Sequence, residues 1–190
     1  MFEQLRAALE AYVPYDGEEA WEKQVMLDFL AGHPDALLRE NRIAHFTATA
    51  WIVNEDRTKV LMAYHNLYKS WAWIGGHADG DGDLLRVVKK EVAEETGLTR
   101  LTQLWDGIYN LRVIPVESHV KRGTYVNSHL HLDVEYLFQA DEADLVRVKA
   151  DENSAVGWLP IGELERYVSE ENMKPIYARL NEKLRSVPGK

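Results

Sequence analysis

The sequence predicts an α/β fold, a mixed β-sheet with helices on both sides. Three features of the chain predict it. The first forty residues carry helical spacing, β-rich runs begin at Ile43, and one strongly patterned helix interrupts those runs between Leu84 and Gly97.

Residues 1–40 read as a helical N-terminal extension packed on a main domain of residues 41–190, because forty residues are too few for a core of their own. A turn at Pro14-Tyr15-Asp16-Gly17 divides the extension, Trp21, Val25 and Phe29 form its expected apolar stripe with Leu30, and Pro34 closes it. Ile43–Val53 and Thr58–Tyr64 read as a hairpin across the polar turn Asn54-Glu55-Asp56-Arg57. Trp71-Ala72-Trp73-Ile74 makes a short strand that leads into a glycine-rich loop. Leu101–Val116 reads as strand, broken near Asp106-Gly107.

Val126–Phe138 alternates, with Leu130, Leu132, Val134, Tyr136 and Phe138 on one face and Asn127, His129, His131, Asp133 and Glu135 on the other. Ser154–Leu159 is a last short strand. Two helices, Ile161–Val168 and Glu171–Leu184, complete the chain.

Composition sets limits on the function. In 190 residues, 46% hydrophobic and 28% charged content is that of a soluble globular protein. No apolar run approaches the ~18 residues of a membrane helix. The N-terminus has neither the basic start nor the apolar core of a signal peptide, so a cytoplasmic location is the expectation. The absence of cysteine excludes disulfides, thiolate metal sites and a cysteine nucleophile. A net charge of −9, from 22 basic and 31 acidic residues, argues against a nucleic-acid polymer as partner. A small anionic substrate remains compatible, since a bound cation reverses the local field.

The stretch Gly75–Leu98, GGHADGDGDLLRVVKKEVAEETGL, organises the chain. Asp81 or Asp83 can cap the helix start, and Gly97 suits the left-handed position just past its end. Leu84, Val88 and Val92 give it a buried stripe. Glu94 and Glu95 lie roughly 60° to one side and 40° to the other of Glu91, so three carboxylates share one face. Like charges at that spacing repel, and something positive should sit there. Clustered carboxylates suit a hard divalent cation; on their own they also read as an ordinary solvated acidic face.

The spacing resembles the Nudix box, Gly-x5-Glu-x7-Arg-Glu-U-x-Glu-Glu-x-Gly-U, where U is a bulky aliphatic residue. Gly76, Glu91, Val92, Glu94, Glu95, Gly97 and Leu98 match, while Gly82 stands in place of Glu and Lys90 in place of Arg. The box is matched tightly, and the resemblance extends loosely from Ile43 through Pro160. His45-Phe46-Thr47-Ala48-Thr49-Ala50, ahead of Trp51, also resembles a segment found before the box in one group of Nudix proteins.

The resemblance implies a Nudix α/β/α sandwich with a mixed sheet, here with the helical N-terminal extension added. It implies a pyrophosphohydrolase that uses Mg²⁺ or Mn²⁺ to cleave a diphosphate linkage, in a nucleoside diphosphate joined to another moiety. Glu91, Glu94 and Glu95 would hold the metal with the Gly76 carbonyl, and Glu91, Glu94, Glu95 and Glu152 would carry the catalysis. The family does not fix the general base at one position, so that role is open. The missing glutamate at Gly82 leaves Asp81 or Asp83 to stabilise the loop–helix unit. Lys90 keeps the charge of arginine without its planar fork.

Outside the box, the residues weigh as follows. His129 and His131 point the same way beside Asp133, as substrate contacts or as a polar strand face against a loop or water. Glu152 precedes the last strand, where many Nudix proteins place an acidic residue, although a loop carboxylate is common by itself. Trp73 is the expected substrate-stacking ring among Trp71, Trp73, Trp105 and Tyr109, all of which also suit a core. Lys121 and Arg122 could reach a distal phosphate, and read more simply as a solvated hairpin tip.

Two other functions compete with hydrolysis. A Nudix-fold binding or regulatory module without useful turnover is motivated by Gly82 and Lys90. A diphosphate isomerase ranks lower, since the known isomerase mechanism uses a cysteine. A homodimer remains open.

Overall fold

The computed structural model describes residues 2–121 and 123–188. The chain builds α1 (Glu3–Ala11), α2 (Gly17–Gly32), β1 (Ala44–Val53), β2 (Lys59–His65), β3 (Ser70–Ala72), β4 (Ile74–His77) and α3 (Leu84–Thr96). It continues through β5 (Thr102–Gln103), β6 (Asn110–Val116), β7 (His119–Lys121), β8 (Thr124–Val126), β9 (His129–Gln139) and β10 (Asn153–Pro160). A 3₁₀ turn (Ile161–Glu163), α4 (Leu164–Tyr167) and α5 (Lys174–Leu184) follow. The fold is α/β, with a mixed sheet and N-terminal helices. Its strands pair in the order β10-β2-β1-β9-β5, with β3 on β2, β4 on β1 and β6 on β9. Among the described residues, no helix is long and apolar enough to cross a membrane.

The chain divides into two compact units. One takes residues up to Thr49, Gly76–Val87 and Gly107–Glu135; the other takes Ala50–Gly75, Val88–Asp106 and the chain from Tyr136 on.

In the first unit, α1 buries Leu5 and Leu9. Helix α2 starts on Asp16, whose carboxylate accepts the Glu19 N–H at 2.9 Å. The predicted stripe of α2 is corrected here: Trp21 is 76% exposed and Val25 45%, while Glu19, Met26 and Leu30 are buried. The cause is strand β6, which among the described residues pairs with β9 alone and so leaves a row of N–H groups on its other edge. The Leu111 N–H donates to Glu19 and the Val113 N–H to Glu22, each at 3.3 Å. Arg112 adds ion pairs to Glu18 at 2.9 Å and Glu22 at 3.3 Å. Acceptors rather than hydrocarbon are what a sheet edge needs, so the glutamates turn inward and the tryptophan outward.

The β9–β6 register runs from Asn110↔Glu135 to Val116↔His129. The polar face of β9 does not meet a loop or water at its inner end, because Asp133 is 1% exposed and Glu135 0%. Thr47 and Thr49, alternate residues of β1, each donate a hydroxyl to Asp133 at 2.5 Å. Burial lifts the Asp133 carboxyl to about 6 against the pull of those two bonds. The predicted hairpin tip at Lys121 is the β7–β8 turn, where Lys121 is exposed; Arg122 lies outside the described residues.

In the second unit, β1 and β2 meet at Val53↔Val60. Their turn is held by the Asn54 side-chain oxygen, which accepts the Thr58 and Lys59 N–H groups at 3.0 Å each. Strand β10 pairs antiparallel with β2 from Pro160↔Lys59 to Ala155↔Tyr64, then shifts register before Asn153↔His65. Helix α5 buries Ile176, Tyr177, Leu180 and Leu184, and Tyr177 packs at 5.3 Å between ring centroids against both Trp51 and Trp73.

Candidate active site

The start of α3 lies in the first unit and shows how the loop manages without a glutamate at position 82. Asp83 is the cap: its carboxylate accepts the Arg86 N–H at 3.1 Å. Asp81 has two tasks, accepting the Asp83 N–H at 2.9 Å and gripping the Arg86 guanidinium at 3.0 and 2.7 Å. Loop and first helical turn are thereby tied twice. We expect Asp83→Ala to lower stability by about 1 kcal/mol in urea denaturation, the usual cost of a lost cap. An unchanged midpoint would show that Asp81 alone suffices.

From Val88 onward α3 belongs to the second unit. Val88 and Val92 are fully buried, as their spacing predicts, and turn Glu91, Glu94 and Glu95 to one side. Lys90 stands 3.6 Å from Glu94 in an exposed pair of small energetic weight. The helix ends at Gly97, whose φ of +77° is the left-handed value expected of it. A Cβ there would also come 3.0 Å from Cγ of Arg147, so the Arg147 side chain would have to give way.

Arg147 explains how the rest of the site is delivered. Its N–H donates to the Thr96 carbonyl at 2.8 Å and its guanidinium reaches the Ala93 carbonyl at 3.4 Å. A cation on the last carbonyls is favoured by the helix dipole. With the loop anchored at Arg147, Lys149 and Glu152 follow directly, paired at 2.8 Å, and the next residue is Asn153. The register shift at the start of β10 leaves the Asn153 amide donating to Glu95 at 2.8 Å.

The electrostatics of this group are those of crowded acids. Glu95, 6% exposed, has its carboxyl pushed up to about 7, by burial first and then by the charges of Glu91 and Glu152, against the Asn153 bond. Glu91 is raised too, by burial and then by Glu94. Lys149 is raised by its bond to Glu152. The structure thus brings together Glu91, Glu94, Glu95 and Glu152, and adds Lys149 and Asn153, which the sequence reading missed. Their one sequence signal was proximity to Glu152. Such a donor set, all oxygen and short of positive charge, fits a hard divalent cation.

The other predicted residues lie as follows. Gly76 lies on β4 in the first unit. Trp73 is half-buried in the second, edge-on to Tyr177, and its backbone N–H donates to the Tyr177 hydroxyl at 3.4 Å. His129 and His131 lie in the first unit in a group with His45 and His77. Nε2 of His129 and of His131 are 3.2 Å apart. Burial, then neighbouring cationic groups, hold His77 down at about 3 and His131 at about 2.

The family model described as NUDIX domain matches residues 44–180. The chain belongs to the NUDIX domain family. Among curated proteins nothing matches. Among solved structures, the chain is similar to an Ap4A hydrolase of C. elegans in a binary complex (15% identity, 74% of this chain and 95% of that one, TM-score 0.51). It is similar to the MutT protein of Methanosarcina mazei Go1 (17% identity, 76% and 98% covered, TM-score 0.53). A third similar structure is the NUDIX domain of Shewanella oneidensis NrtR complexed with ADP ribose (19% identity, 84% and 96% covered, TM-score 0.52). At these identities the likeness shows the fold.

Proposed function

We propose that this chain hydrolyses a diphosphate linkage in a small anionic substrate, a nucleoside diphosphate joined to another moiety, using Mg²⁺ or Mn²⁺. The carrying observation is the gathering of Glu91, Glu94, Glu95 and Glu152, four carboxylates against the two cations Lys90 and Lys149, where burial pushes the Glu95 carboxyl up to about 7. Ap4A and ADP ribose, named with two of the similar structures, both carry phosphoric anhydrides, which supports this substrate class.

In this reading Glu91, Glu94 and Glu95 hold the metal. When bound, the ion polarises a phosphoryl oxygen and lowers the pKa of a coordinated water. The chain's own residues do the positioning. Asn153 fixes the Glu95 carboxylate through its amide, and Glu152 orients water or joins the metal ligands. Lys149, salt-bridged to Glu152, supplies positive charge toward a substrate phosphate. Trp73 offers a ring for stacking the nucleoside.

The second reading is binding without turnover. It is favoured by Gly82 and by Lys90, whose single 3.6 Å approach to Glu94 lacks the two-bond grip of an arginine. One experiment separates the two. The purified chain is incubated with nucleoside triphosphates, nucleotide sugars, ADP-ribose and dinucleoside polyphosphates in Mg²⁺ or Mn²⁺, and products are resolved by anion exchange. Metal-dependent turnover of at least one anhydride is expected; saturable binding of these compounds with no product would establish the binding module.

A further inference from the structure

We propose that His45, His77 and His131 bind one transition-metal ion of the Zn²⁺ class, with His129 as the fourth imidazole. This is a second metal site, chemically unlike the carboxylate cluster. The ligand nitrogens of His45, His77 and His131 all lie within 4.8 Å of one another. His45 stands on β1, His77 ends β4, and His129 and His131 open β9. Three strands of the first unit thus send imidazoles to one point.

Ring orientation is the second observation. Nδ1 of His45 is 3.0 Å from the Asn41 carbonyl, which only accepts, so Nδ1 carries the proton and Nε2 keeps a bare lone pair. That Nε2 is buried and has no hydrogen-bond partner among the described residues, in a side chain 3% exposed. An orphaned buried acceptor is costly and calls for an unseen partner. His129 is set the same way, with Nδ1 2.8 Å from the Asn127 carbonyl and Nε2 turned to His131. A backbone carbonyl on the far nitrogen is the usual device for orienting a metal-binding histidine.

The spacing suits the ion. Zn²⁺–N bonds of ~2.0–2.1 Å in a tetrahedron put ligand nitrogens about 3.3 Å apart. The His129–His131 separation is 3.2 Å, and ring centroids of His45 lie 5.0, 4.9 and 5.0 Å from those of His77, His129 and His131. Imidazole nitrogens select Zn²⁺, Ni²⁺, Co²⁺ or Cu²⁺ over Mg²⁺, which demands oxygen. His129 and His131, expected from sequence as substrate contacts, are here assigned to hold the ion.

The test is direct binding, on chelator-treated full-length chain that carries no polyhistidine tag. Zn²⁺ is titrated calorimetrically and Co²⁺ by its visible spectrum, into wild type and into a triple variant Glu91→Gln, Glu94→Gln, Glu95→Gln. The triple variant should take up one ion with a tetrahedral Co²⁺ spectrum, wild type should take up that ion beside any held by the carboxylates, and Zn²⁺ should raise the melting temperature of both. His77→Asn and His131→Asn should each weaken Zn²⁺ binding at least about a hundredfold, since losing even an outer-shell partner of a ligand costs up to about that much. The proposal is overturned if wild type takes up no Zn²⁺, if the triple variant loses it, or if folded histidine variants bind it as wild type does. Should those variants fail to fold, the triple variant decides: Zn²⁺ bound there with a raised melting temperature supports the site, and its absence overturns it.

Discussion

Glu94→Gln and Glu95→Gln should each lower kcat by about a hundredfold or more, while the protein stays folded. Each substitution keeps the size of the side chain and removes one negative charge from the face that would hold the metal. That charge counts most in the transition state, where the phosphoryl oxygens need an ion held in place. Neither carboxylate is required for packing. Glu94 is exposed, and among the described residues Glu95 accepts the Asn153 amide, a bond that the carbonyl oxygen of glutamine can also accept. The buried charge of Glu95 is a liability to the metal-free fold, so its melting temperature at neutral pH should hold or rise on substitution. Steady-state kinetics with a melting curve on each variant check both halves. Full activity in both variants would remove these residues from the mechanism.

Helix α3 was legible in the sequence because everything about it is local. Leu84, Val88 and Val92 recur at one helical face, Asp83 stands one residue before the start, and Gly97 stands one residue past the end. Each signal is contained within one helix and needs no knowledge of what packs against it. Helix α2 was misread for the opposite reason. By hydropathy alone Trp21, Val25 and Phe29 outrank Glu19 and Glu22 as inward residues, and only the partner reverses that order. Strand β6 offers N–H groups where a helix would ordinarily meet hydrocarbon.

The same limit hid part of each cluster. His129 and His131 share a strand, so the pair was visible, but His45 and His77 lie 84 and 52 residues before His129 and meet it only through sheet pairing. Asp133 looked solvated because its two hydroxyl donors come from another strand, β1. Lys149 and Asn153 flank Glu152, which the sequence did single out. Their role depended on Arg147 docking at the end of α3, a tertiary contact with no local signature.

The last prediction concerns pH. In the metal-free protein the Glu95 carboxyl is raised from 4.5 to about 7, by burial first and by Glu91 and Glu152 after it. The folded state therefore holds this proton more tightly than the unfolded chain does. Its stabilising contribution is full below about pH 4.5 and is lost as pH rises through about 7. Asp133 acts with the same sign and the buried histidines with the opposite one, so total stability is a poor reporter of Glu95. The difference in melting temperature between wild type and Glu95→Gln isolates it: wild type should lose ground to the variant as pH rises through that window. Adding Mn²⁺ reverses the slope, because the cation needs the carboxylate that the proton occupies. Apparent Mn²⁺ affinity should fall about tenfold per pH unit below 7, reaching on the order of a hundredfold at pH ~5, and Glu95→Gln should flatten that dependence. Mn²⁺ titrations across this range, on both proteins, measure it. An affinity independent of pH in wild type would mean that Glu95 is ionised before the metal arrives, and that burial does not govern this site.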